Sequence, residues 1–178
     1  MAHPLATRPD PSEYAPSAED YVSRAAENMK GSVLDMLETQ IEEIISLVNG
    51  LAPGMEDKRY APGKWSIRQI IGHLADGERV FSQRAFRFSR CDPTPLPGFD
   101  ENDYVNEAPF EHVPIKDLLA ELVHLRRATL YLYRSLDETA LMRRGVANGI
   151  ESSVRALAFV IAGHDHHHLE VLRERYLA

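Results

Sequence analysis

Apolar residues recur every three or four positions along four stretches of this chain, with proline-bearing segments separating the first three. The first stretch carries Val22, Met29, Val33, Met36, Leu37, Ile41, Ile44, Val48 and Leu51, and the second Ile70, Ile71, Leu74, Phe81, Ala85 and Phe88. The third carries Leu118, Leu119, Leu122, Leu125, Thr129, Leu132 and Tyr133, and the fourth Val154, Leu157, Ile161 and Leu172. This is the spacing of one helical face, repeated, and no alternating run is long enough to build a sheet. The reading is all-α, a four-helix bundle.

Local signals set the boundaries. Helix one is expected over Glu19 to Leu51, stopped by Pro53 and Gly54. Helix two opens with Ser66 and Gln69, spaced for a capping box, with Trp65 just outside as an apolar anchor, and runs to about Arg90. Helix three covers Ile115 to Leu136, with a short turn of helix after Asp137. Helix four starts from a Ser152 or Ser153 cap and continues to Tyr176. Pro4, Pro9, Pro11 and Pro16 make residues 1–18 an extended arm, leaving 19–178 as one domain. Pro93, Pro95, Pro97, Gly98 and Pro109 make 91–113 a long loop between helices two and three. Fully extended, that loop spans on the order of 70 Å, against about 37 Å for a helix of about 25 residues. It can therefore return along the bundle and let helices two and three run parallel.

A chain of 178 residues buries roughly 70% of its unfolded surface and needs no staple. Its 27 acidic and 20 basic residues give a net charge of −7 without a basic stripe, which disfavours nucleic acid as a partner. No secretory signal is evident at the start, and nothing approaches the roughly 20 apolar residues of a membrane span. Cys91 stands alone and agrees with a reducing compartment; a cytoplasmic protein is the expectation.

Of eight histidines, four fall within five residues: His164, His166, His167 and His168 around Asp165. His164 and His168 lie only about 40° apart on a helix, one turn above the other. They continue the stripe Val154, Leu157, Ile161 toward Leu172, so both point where a core residue belongs. Burying an imidazole without partners is costly; metal coordination and a hydrogen-bond network are the two usual solutions. His73, among Ile70, Ile71 and Leu74, is the third candidate. Three neutral imidazoles would leave zinc or a related borderline ion with at least one open position.

The segments Lys64-Trp65-Ser66-Ile67-Arg68-Gln69-Ile70-Ile71-Gly72-His73-Leu74-Ala75-Asp76 and Ile161-Ala162-Gly163-His164-Asp165-His166-His167-His168-Leu169 resemble the two histidine motifs of the DinB-like (DinB/YfiT) superfamily. The loop from Pro95 to Asp103 is similar to one branch of it. The resemblance covers the chain from helix one onward. It implies up-down-down-up connectivity and a zinc, nickel or similar divalent ion held by His73, His164 and His168. It also implies chemistry on a small-molecule substrate: S-transfer from a low-molecular-weight thiol to a small electrophile first, hydrolysis as the alternative. A non-catalytic metal-stabilised bundle and a small-ligand sensor are the competing classes.

Asp76, about 60° around the helix from His73, is the candidate catalytic residue, orienting a ligand or serving as a base. Glu78 points farther away. His167 either backs the ligands or packs near helix one. Arg79, Arg84 and Arg87 scatter around helix two as a solvated face, and Trp65 serves as an anchor. Asp100, Glu101, Phe99 and Tyr104 cover the site or pack over a seam. Pairing of helix one across a two-fold axis would give a homodimer.

Overall fold

The computed structural model describes residues 3–178. The first apolar stripe belongs to two helices, α1 (Glu19–Asn28) and α2 (Val33–Asn49), where spacing alone predicts one. Helix α1 ends at Met29, whose backbone is extended, and Gly31 then takes φ +89°, a left-handed conformation that suits glycine and turns the chain toward α2. Ser32 then opens α2 with a capping box: its hydroxyl accepts from the Asp35 N–H at 3.3 Å, and the Asp35 carboxylate accepts from the Ser32 N–H at 2.8 Å.

Five further helices follow: α3 (Ile67–Ser89), α4 (Glu101–Glu107), α5 (Ile115–Arg134), α6 (Glu138–Leu141) and α7 (Val154–Val171), which runs into a π-helical turn at Leu172–Tyr176. Both α2 and α3 pack against α5 and α7, forming the four-helix bundle, while α1 lies along α7. The core has two apolar halves. One holds Val33, Leu37, Phe88, Tyr133 and Phe159; the other holds Ile44, Ile71, Leu74, Leu122 and Leu169. Between the halves, each helix presents buried polar residues: Gln40 in α2, Glu78 in α3, Arg126 in α5, His164 and Asp165 in α7. Burying each large apolar side chain is worth roughly 1.5–3 kcal/mol, so the two halves hold the bundle together around a polar cross-section.

Three connecting segments depart from the expected loops. Residues 4–18 are not an extended arm but three 3₁₀ turns, each begun by a proline whose fixed φ suits the first turn position. Leu5 and Tyr14 join the core, and the buried Glu13 carboxylate accepts from Arg155 Nε and from the Ser153 hydroxyl, both at 2.8 Å. A two-stranded antiparallel hairpin, β1 (Arg144–Ala147) and β2 (Ile150–Ser153), precedes α7. Its turn is Asn148-Gly149, with φ +54° and +73°, the residue pair that a tight two-residue hairpin favours. The 91–113 segment is ordered by α4, a 3₁₀ turn at Phe110–His112, and Leu96, which bridges β1 through hydrogen bonds to Val146 and from Asn148 at 2.9 and 3.0 Å.

Helix α1 approaches α7 at Gly163, where an added Cβ would stand 1.9 Å from the Tyr21 carbonyl oxygen. In an exposed helix, glycine to alanine stabilises by up to about 1 kcal/mol. Here the sign is expected to reverse, Gly163→Ala costing about 1–3 kcal/mol because the obstacle is backbone; urea unfolding of both proteins, with its slope checked for constancy, measures this.

Candidate metal centre

The site is built on α3 and α7. The Ser66 box starts α3 as expected, Ser66 Oγ accepting from the Gln69 N–H at 3.2 Å and Gln69 Oε1 accepting from the Ser66 N–H at 3.0 Å. Two turns on, His73 faces α7. That helix starts at Ser153, whose hydroxyl accepts from the Ala156 N–H at 3.1 Å, and it is buried on all sides from Val154 to Asp165 because α1, α2 and α3 surround it.

The structure brings His73, His164 and His168 together: one ring nitrogen from each lies within 4.8 Å of the others. His73 Nε2 and His164 Nε2 are 2.8 Å apart, and these two side chains are buried while His168 is partly exposed. Burial, with the nearby His164, lowers the His73 pKa to about 3, and burial pushes His168 well below its ordinary value. Both imidazoles are therefore neutral near pH 7, with a lone pair available for a ligand.

Aromatic rings enclose the cluster. The Trp65 ring lies 4.7 Å from His73 and 6.3 Å from His168 between centroids, so this residue walls the site as well as preceding the helix. Tyr21 and Phe81 stand 5.5 and 6.1 Å from His164. His167 packs near both α1 and the cluster, 6.3 Å from Tyr21 and 5.1 Å from His168. Asp76, half-buried with its pKa raised by that burial, accepts a hydrogen bond from Arg79 at 3.2 Å and lies outside the three-histidine group.

Spacing does not reveal what lies behind His164. Arg126, fully buried, donates to Glu78 through Nε at 3.2 Å and through Nη2 at 2.8 Å, to Asp165 at 2.5 Å, and to the Leu37 carbonyl at 3.0 Å. Asp165 turns its other oxygen toward His164 Nδ1 at 3.7 Å. A carboxylate on that side favours a proton on Nδ1 and leaves Nε2 to face His73. Burial raises the Asp165 pKa, but the Arg126 charge and the contact with His164 outweigh it, and the group stays ionised. The signal was present, since Arg126 lies four residues after Leu122 and three before Thr129, on the core stripe of the third helix.

These features define a class: a helical bundle with a three-histidine cluster, two of its members buried, backed by an ion network and walled by aromatic rings. The chain belongs to the DinB superfamily, which its residues 36–172 match. It is 30% identical over 139 residues to a protein of Oceanobacillus iheyensis, covering 76% of this chain and 79% of that one, and 26% identical over 137 residues to one of Geobacillus thermodenitrificans, covering 72% and 75%. Both are named "Putative metal-dependent hydrolase". The fold is similar to that of YfiT from Bacillus subtilis, described as a probable metal-dependent hydrolase with an unusual four-helix bundle topology: TM-score 0.70 at 18% identity, over 97% of this chain and 95% of that one. Among the described residues, no helix is long and apolar enough to cross a membrane.

Two outcomes follow from the buried charges. Arg126→Met leaves two buried carboxylates without their cation and is expected to cost about 3–5 kcal/mol in chemical denaturation. Replacing Glu78, Arg126 and Asp165 together by apolar residues of similar volume should recover most of that loss. For His73 the folded pKa of about 3 lies below the ordinary 6.5, so its contribution is full above pH 6.5 and lost as the pH falls toward 3. In chelator-treated protein, unfolding free energy should drop by roughly 1.4 kcal/mol per pH unit for this histidine across that window, as measured by urea titrations at several pH values.

Proposed function

We propose that this protein is a metal-dependent enzyme acting on a small molecule, with His73, His164 and His168 holding a divalent ion. The observation that carries the reading is the convergence of three imidazoles, two of them buried, with a carboxylate beside one. A hydrogen-bond network alone is a poorer account of the cluster. His73 and His164 meet through Nε2 atoms, and one hydrogen bond between them would serve that pair and not His168. Three nitrogen donors suit zinc or nickel. A structural zinc site normally has four protein ligands, whereas this group has three among the described residues, which favours an open, catalytic arrangement.

A bound ion would supply Lewis acidity, enough to bring water or a thiol toward its ionised form near pH 7. The chain itself supplies the rest. Asp165 and Arg126 orient His164; Trp65, Tyr21 and Phe81 limit water around the cluster. Asp76, its carboxyl raised by burial, and His167, its imidazole kept neutral by burial, are the groups we assign to taking up a proton. We rank hydrolysis ahead of thiol transfer, the reverse of the order that the sequence resemblance implied, because both curated relatives carry a hydrolase name.

Metal content of untagged protein purified without added metal tests the reading by mass spectrometry. About one ion per chain is expected in the wild type, with loss in His73→Ala and His164→Ala. Asp165→Asn should bind the ion about 10–100-fold more weakly. A folded wild type that takes up no ion after reconstitution would overturn the proposal. With metal bound, turnover of small esters, amides and phosphoesters supports hydrolysis; turnover only with an added thiol supports S-transfer; neither would leave a sensor or structural role.

A further inference from the structure

Three arginines of α3 had the appearance of a solvated face, but one of them differs from the other two. Arg79 pairs with Asp76 and Glu121, and Arg87 pairs with Asp92 at 2.6 Å. Arg84 has no carboxylate partner among the described residues. Its guanidinium lies beside both Phe81 and Phe99, 5.7 and 5.8 Å from the ring centroids, and one Nη2–H donates to the Pro97 carbonyl at 3.1 Å. The side chain is partly buried, and burial lowers its pKa. A cation taken from water into apolar surroundings without a counter-charge is costly, and cation–π contact with two rings offsets only part of that cost.

Beside Arg84 is a cavity of about 180 Å³ bounded by Tyr21, Phe81, Arg84, Phe88, Leu157 and Val160. That is about the liquid volume of six waters, room for a small organic molecule. Its walls are mainly apolar, with one fixed fork of N–H donors, the shape that matches a carboxylate. Tyr21 and Phe81 are also the rings that stand against His164, so the cavity and the histidine cluster share a wall.

We propose that this cavity is an anchoring subsite for small carboxylates with an apolar body, in which Arg84 holds the carboxylate and the apolar wall holds the rest. Calling the bound molecule a substrate rests on the metal-enzyme reading; the binding itself does not. Arg84 then selects which molecules are held beside the histidines.

Isothermal titration of the full chain with 3-phenylpropionate and with 3-phenylpropanamide, in zinc-loaded and chelator-treated protein, separates the two claims. A charge-assisted pair should favour the acid over the amide by about tenfold or more in both preparations. Arg84→Met should erase that preference and Arg84→Lys should keep part of it, with zinc content unchanged in each. Arg84→Gln serves as a second neutral variant if Arg84→Met does not fold. Equal affinities for acid and amide, or a preference that survives in Arg84→Met, would overturn the proposal. A preference present only with zinc and lost in His164→Ala would do so too, by placing the carboxylate on the ion. An Arg84-dependent preference in protein that never takes up metal would support the subsite and count against the metal reading alone.

Discussion

A single buried guanidinium joins the four helices of the bundle. Arg126 reaches from α5 to Glu78 of α3, to Asp165 of α7 and to a carbonyl of α2, with none of its surface in water. Such a network is a weak source of net stability, because desolvating three charges costs about as much as their attraction returns. Its value lies in geometry. Two apolar halves of Leu, Ile, Val and Phe would tolerate small slips of one helix past another, whereas four directed hydrogen bonds to three neighbouring helices do not. The residual negative charge of two carboxylates and one guanidinium also sits directly behind His164, where it would offset part of the charge of a bound cation.

The histidine cluster occupies this polar cross-section. Helix α7 presents two neighbouring positions, about 100° apart, to two tasks, Asp165 to the arginine and His164 to the site, so fixing one fixes the other. Gly163, just before them, lets α1 come close enough to set Tyr21 against His164 and His167. From the other side, α3 brings His73, Gly77 and Phe81, and an added Cβ at Gly77 would stand 3.3 Å from the His164 ring. The close approach of three backbones replaces solvent around the cluster with carbon, and this burial is what lowers the pKa values of His73 and His168.

The irregular segments brace this arrangement. The buried pair between Glu13 and Arg155 ties the N-terminal turns to the start of α7. The hairpin fixes the segment after α3 through Leu96, and that segment carries Phe99 over Arg84 and α4 beyond it. The cavity beside Arg84 therefore owes its walls to parts of the chain far apart in sequence: α1, α3, the turn at Asn148 and α7.

Much of this was legible in one dimension. Helical periodicity, the Ser66 capping box and the inward phasing of His164 and His168 depend only on local geometry, and local geometry is a property of the chain alone. The break at Gly31 and the Asn148-Gly149 turn were also written in the sequence, but a continuous apolar stripe and the shortness of the strands masked them. What only the tertiary structure decided is which side chains meet. That His73 opposes His164 depends on how α3 packs on α7, and the use of Arg126 depends on two carboxylates 48 and 39 residues away from it. A charge in a core stripe announces that a partner exists. Where that partner sits is set by the packing of helices against one another, which periodicity within any one helix does not contain.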